Sequence, residues 1–494
     1  MSLPARIKVL PEERLGRINP NIYGHFVEHL GRCIYGGVWA AERDEVDRVV
    51  GYREDVLEAV KALRVPVLRY PGGCFSDGYH WKDGIGPRDQ RPTVFDTAWK
   101  AQEPNAFGTD EFLRYCDLIG AQPYLNVNFG SGSVAEALDW LQYCNSPAET
   151  RWGSRRATNG RAEPYRVRYW GIGNEICGDW EIGHTDARTY GQGFIEYQRA
   201  MKAVDPGLKL VAVGWDETMP NWNPQVVEVA GEYIDYLSIH HYVPGGVDLA
   251  HDSQEFYYAI VASPLSTEQK LVWTRKVIEE NLRGPHQVEI VLDEWNLWLS
   301  HPPESPVQDY RLRDGLYAAA MFHVLHRQCA QVTMANLAQL VNVLGAILTD
   351  KTRMALTPIY WAFALYAPRT GEWALRTETE VDGYAQEAMG SITAIPHAPY
   401  LDVSATLSEE RGLLYIGVVN RHWEEPIRAA VEIAPLVAKA EGKLAELNGP
   451  DPLAANTLEG PPLVRITETS FLCEGSRFEH IFPAHSASIL EIPL

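Results

Sequence analysis

Eight short apolar runs, each followed by a stretch with helical patterning, recur along one continuous part of the chain. That repetition leaves few architectures open. The runs are Ile22 to Val27, Val65 to Tyr70, Pro123 to Asn128, Val167 to Gly171, Leu208 to Val213, Tyr233 to Ile239, Val288 to Leu292 and Val332 to Ala335. They lack strict alternation of apolar and polar residues, as expected for parallel strands buried on both faces. The stretches between them carry helix signals. Ser133 and Glu136 make a capping-box pattern ahead of a helix reaching Cys144. Tyr190, Phe194, Tyr197 and Met201 repeat at helical spacing until Asp205-Pro206-Gly207 stops them. Thr357-Pro358 puts a cap before a proline at the first helical position. Eight strand–helix units favour a closed (β/α)8 TIM barrel over an open doubly wound sheet. No Gly-rich phosphate loop of the GxGxxG or Walker type follows any run, which also disfavours the open sheet.

The pattern changes near Pro368-Arg369-Thr370-Gly371. Beyond it lie short β-like runs, at Tyr400 to Thr406, Leu413 to Asn420, Ile427 to Ile433, Ser470 to Cys473 and Ala487 to Ile492, separated by turn-rich segments. They predict a small antiparallel β-sandwich, jelly-roll-like, as a second domain. The N-terminal run Ala5 to Leu10 has no place in the barrel and is expected to pair with that sandwich. The expected division is residues 17–370 for the catalytic barrel and 371–494 for the sandwich, joined by the N-terminal strand within residues 1–16. A chain of 494 residues is long enough for one large and one smaller core.

Composition narrows the class of partner. The formal net charge is -21, which argues against nucleic acid or an anionic membrane surface. The chain has 15 Trp and 24 Tyr, side chains whose faces pack on the apolar C–H faces of sugar rings. Its 7 Cys are scattered without a CxxC pair, so neither a disulfide framework nor a structural zinc site is expected. No apolar segment suits a signal core or a bilayer span. A cytoplasmic location, without metal or cofactor, is the expectation.

The active site of such a barrel lies at the C-terminal ends of its strands. Those ends read Gly24-His25-Phe26-Val27-Glu28-His29, Arg69-Tyr70-Pro71-Gly72-Gly73-Cys74, Asn126-Val127-Asn128, Asn174-Glu175, His240-His241-Tyr242, Asp293-Glu294-Trp295-Asn296, and Asn336 with Gln339. Polar groups at so many strand ends need a functional reason. Glu175 and Glu294, each ending a buried strand, are the pair of carboxyls that glycosidic cleavage uses. Glu28 is expected either to pair with Arg69 or to contact a sugar hydroxyl. His240 and His241 cannot both face the barrel interior, since neighbours on a strand point to opposite sides. One of them packs between strand and helix, and His240 is counted with the substrate contacts. Asp293 should point away from Glu294 and serve in structural pairing.

Several segments together resemble glycoside hydrolase family 51, the α-L-arabinofuranosidases. They are Ile22-Tyr23-Gly24-His25-Phe26-Val27-Glu28-His29, Arg69-Tyr70-Pro71-Gly72-Gly73, the stretch from Tyr79 to Pro87, the stretch from Asn105 to Phe112, and Asp293-Glu294-Trp295-Asn296, with Gly173-Asn174-Glu175 after the fourth strand. The resemblance implies a retaining, exo-acting enzyme that removes terminal non-reducing α-L-arabinofuranosyl groups from oligosaccharides derived from arabinan or arabinoxylan. It implies Glu175 as general acid/base, Glu294 as nucleophile, and Asn174 on the sugar 2-hydroxyl. It also places Glu28, Cys74, Tyr242 and Gln339 around the sugar, Arg69 behind the carboxyls and Trp99 at the rim. Two departures stand out: some members carry Asn in place of Cys74, and the loop after Trp298 is shorter than in some. Family members are often hexamers. The alternatives are another retaining glycosidase on the same barrel, a β-xylosidase or an endoglucanase, and a non-catalytic carbohydrate-binding barrel.

Overall fold

The computed structural model describes residues 3–40, 48–49, 51–245, 250–299, 310–439 and 441–494. Its centre is a closed barrel of eight parallel strands in sequence order: Gly24–Phe26, Val67–Tyr70, Gln122–Val127, Tyr169–Ile172, Lys209–Ala212, Tyr236–Pro244, Glu289–Trp298 and Val332–Ala338. Each lies on one of the eight predicted runs. The sixth and seventh continue well past the predicted ends, as far as Pro244 and Trp298, where His240↔Glu294 through Pro244↔Trp298 extend their pairing.

Polarity inside the barrel is layered by the two-residue stride of a strand. Val67, Tyr124, Tyr169, Val211, Tyr236, Val291 and Met334 form a buried apolar plug contributed by seven of the strands. Full burial of such a side chain contributes about 1.5–3 kcal/mol relative to exposure, so the plug is a firm base. Two residues further along the same strands stand Arg69, Asn126, Ser238, Asp293 and Asn336, with Gly171 on the fourth strand and Val213 just after the fifth. Five of the strands thus pass from hydrocarbon to hydrogen-bonding groups within one step, and the site sits on that boundary.

Helices cover the outside. Val134–Asn145 begins at Ser133, whose hydroxyl accepts the Glu136 N–H at 3.2 Å. The carboxylate of Glu136 is taken instead by His80 Nδ1 at 2.9 Å. Leu312–Arg327 is buried from Leu312 through His326, the mark of a helix covered on all sides. One side packs on the barrel and the other on the second domain.

That second domain is sheet-rich. Nine strands form one hydrogen-bonded series that includes the N-terminal strand Leu3–Arg17. This strand runs antiparallel to Trp373–Glu380 and parallel to Ile427–Glu432. In Leu413–Asn420, residues Leu414, Ile416 and Val418 face the domain's own core, while Tyr415 and Val419 join the barrel-side core. At the seam Asp402 accepts from Arg421 and from Arg327 (3.0 Å), and Arg327 also holds Glu268 at 2.8 Å. Among the described residues, no helix is long and apolar enough to cross a membrane.

Candidate active site

Arg69, one layer above the apolar plug, organises the floor of the site. Its Nη1 donates to Glu294 Oε1 at 2.5 Å and its Nη2 to Asn174 Oδ1 at 2.7 Å, while Nε stands 3.6 Å from Asp293 Oδ2. Tyr242 donates its hydroxyl to the other Glu294 oxygen at 2.7 Å. Both oxygens of Glu294 are therefore held by donors, one of them charged, which fixes the plane of the carboxylate. Gly73 makes this approach possible, since a Cβ there would fall 2.9 Å from Glu294 Oε1.

Glu175 stands opposite. The turn that presents it uses Gly173 at φ +81°, and Glu175 itself has φ 44°. A non-glycine residue rarely holds that left-handed conformation. Asp77 stabilises the turn by accepting the backbone N–H of Asn174 at 2.7 Å, and those of Phe129 and Gly130 at 2.9 and 3.0 Å. Glu175 Oε1 meets His240 Nδ1 at 2.7 Å, and Oε2 accepts from Trp180 Nε1 at 2.8 Å. One oxygen of Glu175, one of Glu294 and a ring nitrogen of His240 all lie within 4.8 Å of one another.

Asp293 departs from expectation. Period two from Val291 brings it onto the polar layer, where it accepts from Tyr124 at 2.8 Å and from Ser238, and lies 3.3 Å from His240 Nε2. Glu294 joins it inside because the pairing register shifts on both flanks of the seventh strand near this point. Both carboxyls thus face the same buried cluster. The two histidines do separate: His241 turns outward to Thr267 on the helix Pro264–Asn281, at 2.8 Å.

An open space lies between these groups. Glu28 takes three donors: the Trp99 indole at 2.9 Å, Gln339 Nε2 at 2.8 Å and the Phe75 N–H at 3.3 Å. Arg69 is not among them, so of the two expectations for Glu28 the ion pair with Arg69 is not found. A cavity of about 870 Å³ is lined by Glu28, Cys74, Trp99, Glu175, Tyr242, Glu294 and Gln339, with Trp180, Trp215, His251 and Trp298 further out. Arg69 and His240 stand behind that wall, bonded to Glu294 and Glu175, and Asn174 is bonded in turn to Arg69. The loop after Trp298 falls largely on residues 300–309, which lie outside the described residues.

The electrostatics follow from burial against charge. Burial opposes a charge on His240, yet Glu294 and the hydrogen bonds to Asp293 and Glu175 outweigh it and push it up to about 10. Burial would raise Asp293, but Arg69 and His240 hold it below the usual carboxylate range. Three other carboxyls are raised. Burial and the charge of Glu294 push Glu28 up to about 8. Burial pushes Asp77 up to about 7 against its three backbone donors. Burial, then Glu175 and Asp77, push Glu181 up to about 9. Arg69 and His240 thus both stand near Glu294, while Glu28 and Glu181 keep their protons at neutral pH.

Sequence reasoning missed Asp77, Trp180, Glu181 and Trp215. Glu181 accepts from Asn174 Nδ2 at 3.1 Å, and Trp180 and Trp215 pair with ring centroids 5.7 Å apart. The available signal was Trp180-Glu181 between two glycines, Gly178 and Gly183, just after Glu175. Two triplets, Cys74–Glu175–Glu181 and Glu175–His240–Glu294, have atoms close enough to share an ion. Both draw on Glu175, and Glu175, His240, Glu181 and Glu294 are already engaged with neighbouring side chains. A further support comes from the second domain, where Ser391 Oγ donates to the Tyr242 carbonyl at 2.6 Å and its N–H to the Pro244 carbonyl at 2.7 Å.

The sequence matches the family described as "Alpha-L-arabinofuranosidase 1 domain" over residues 59–257 and "Alpha-L-arabinofuranosidase C-terminal domain" over residues 293–486. It is 36% identical to alpha-L-arabinofuranosidase C of Emericella nidulans, covering 98% of this chain and 96% of that one. It is 31% identical to the intracellular exo-alpha-(1->5)-L-arabinofuranosidase 1 of Bacillus subtilis, covering 84% and 85%. Among solved structures, an alpha-L-arabinofuranosidase of Thermotoga maritima in an arabinose complex superposes with a TM-score of 0.91. It is 41% identical to this chain, covering 99% of this chain and 100% of that one.

Proposed function

Because the chain belongs to the α-L-arabinofuranosidases of glycoside hydrolase family 51, we propose that it releases terminal non-reducing α-L-arabinofuranosyl groups with retention, by double displacement between Glu294 and Glu175. It is an exo-acting glycoside hydrolase of class EC 3.2.1.55. The observation that carries the retaining mechanism is the separation of the two carboxyls, whose nearest oxygens lie within 4.8 Å. Retaining enzymes hold their carboxyls about 5–5.5 Å apart, whereas inverting ones leave about 6.5–9.5 Å for a water between them.

In the first step a Glu294 oxygen attacks the anomeric carbon as the glycosidic C–O bond breaks. Glu175 gives its proton to the departing oxygen. The bond formed is an ester between the sugar and Glu294, and the bond lost leaves the aglycone as an alcohol. In the second step Glu175 takes a proton from water, whose oxygen attacks the same carbon and frees Glu294. Arg69 and Tyr242 hold Glu294 in line for both steps. Asn174 addresses the sugar 2-hydroxyl, and Glu28, Cys74, Gln339 and Trp99 enclose the ring. Oligosaccharides from arabinan or arabinoxylan are the proposed substrates. A homohexamer in the cytoplasm is proposed from the family resemblance, and the Bacillus subtilis relative is named intracellular.

The test is a leaving-group panel. Glu294→Ala should lose turnover of nitrophenyl and oligosaccharide arabinofuranosides alike, by about 10⁴-fold or more. Glu175→Ala should lose about 10²–10⁴-fold in kcat/KM on oligosaccharides and far less in kcat/KM on nitrophenyl substrates, which leave without a proton. Equal losses on both substrates would overturn the role of Glu175, and an inverted first product by proton NMR would overturn retention. Preference for a nitrophenyl xyloside or cellobioside would favour a β-xylosidase or endoglucanase instead.

A further inference from the structure

Two consecutive residues of the loop after the fourth strand reach back to Asn174 and Glu175. The Gly178 N–H closes a turn on the Glu175 carbonyl at 2.7 Å, and the Glu181 N–H closes another on the Gly178 carbonyl at 3.1 Å. These turns bring Trp180 and Glu181 over the pair that precedes them. Trp180 lies outward, 52% exposed, with its Nε1–H on Glu175 Oε2 at 2.8 Å. Glu181 lies inward, 6% exposed, with Oε1 accepting from Asn174 Nδ2 at 3.1 Å.

We infer that Trp180 and Glu181 are positioning residues for catalysis: Trp180 fixes how Glu175 presents its carboxyl to the leaving group, and Glu181 fixes the amide plane of Asn174 toward the bound sugar. The inference rests on the reading of Glu175 as acid/base.

The geometry supports a division of labour. His240 holds only Oε1 of Glu175, at 2.7 Å. One anchor leaves a flexible side chain free to swing about it, while a second on Oε2 defines the carboxyl plane. Trp180 supplies the second anchor from the exposed rim of the cavity. Asn174 is treated the same way on its own amide. Arg69 can only donate, so the oxygen of Asn174 faces it, and Glu181 then receives one of the two amide N–H groups. The other N–H is left to project in a fixed direction. Burial and the charges of Glu175 and Asp77 push Glu181 up to about 9. It therefore acts as a neutral acceptor, and a glutamine can reproduce it.

The two roles separate in one experiment. Trp180→Phe, Glu181→Gln, Glu181→Leu and Glu175→Ala are compared on p-nitrophenyl α-L-arabinofuranoside and on an arabino-oligosaccharide, with melting curves for each. Trp180→Phe keeps the ring and loses only the N–H. It should lower kcat/KM on the oligosaccharide about tenfold and leave kcat/KM on the nitrophenyl substrate within about twofold, because kcat/KM reports the first step, in which only the oligosaccharide needs a proton. Glu181→Leu should lower kcat/KM about tenfold on both substrates, since the sugar is common to them, and Glu181→Gln should stay within about twofold of the parent on both. Should Glu181→Leu fail to fold, Glu181→Asp withdraws the acceptor by one methylene and is expected to give the same uniform loss. The inference is overturned if Trp180→Phe lowers both substrates equally or neither. It is also overturned if removing the acceptor at 181 leaves both unchanged, or if Glu181→Gln is as damaging as Glu181→Leu. If Glu175→Ala itself strikes both substrates equally, the acid/base assignment fails and the fault lies there rather than with the two positioning residues.

Discussion

The floor and the mouth of the cavity are built on opposite principles. At the floor, Arg69, Asn174, Asp293 and Glu294 are nearly sealed from solvent, and Arg69 connects the other three. No side chain there can move without leaving a buried charge or donor unpaired, which is costly. At the mouth, Trp180 and Trp215 meet at a tilted 5.7 Å contact and Trp298 stands edge-on to Tyr242 at 5.1 Å. Apart from the Trp180 N–H, which is committed to Glu175 Oε2, these aromatic faces accept apolar partners over a range of positions, with little demand for a single geometry. The difference teaches where selectivity resides. Under the proposed function, the released sugar would be read by fixed polar atoms, and what it is attached to by surfaces that tolerate variety.

The largest break in this contrast should come from Arg69→Lys. A lysine keeps the charge but lacks the fork that reaches Glu294 and Asn174 together. We expect kcat to fall about 10²–10³-fold, on nitrophenyl and oligosaccharide substrates alike, as measured by steady-state kinetics. A loss confined to one leaving group would show that the floor and the mouth are not independent.

A smaller effect concerns stability against pH. Glu28, Asp77, Glu181 and His240 are pushed up to about 8, 7, 9 and 10. In each case the folded protein keeps a proton that the unfolded chain has released at its ordinary value. Their contribution is therefore fully present below those ordinary values and is lost as pH rises through the folded ones. Asp293 and Asp402, held low by Arg69 and by Arg421, act in the opposite sense, but only in acid. The melting temperature should thus fall from about pH 6 to about pH 9, and Glu181→Gln should flatten the upper part of that decline. A melting temperature that climbs across the window would contradict a floor packed with retained protons.

The smallest effect belongs to the mouth. Trp215→Ala should raise KM for oligosaccharides about 3–10-fold, the worth of one aromatic contact, and leave kcat nearly unchanged. A matching loss in kcat would mean that Trp215 takes part in organising the floor.

How much of this was visible in the sequence depended on how each residue is placed. The eight barrel strands were legible because burial on both faces leaves unbroken apolar runs. Glu175, Glu294, Arg69 and Tyr242 were legible because they end or follow such runs. Asp77 and Glu181 were not, since they reach the site through short irregular turns with no periodicity to read. Asp293 was assigned the wrong direction because a register shift interrupts the alternation at that step. In the second domain, Trp373–Glu380, Arg465–Leu472 and Arg477–Phe482 escaped detection in whole or in part. Their outward faces are rich in charge, and the latter two lie at the ends of the strand series, so their apolar signal is thin.

The bond from Ser391 to the carbonyl of Tyr242 bears on modularity. Barrels of this kind invite being treated as interchangeable cassettes, cut free of their appendages and recombined. Here a residue far along the polypeptide, beyond the last barrel helix, buttresses the strand whose tyrosine grips Glu294. A cassette trimmed after Tyr366 would keep every catalytic group and still lose the prop under one of them. The unit that can be transplanted or evolved as a whole is therefore the pair of domains.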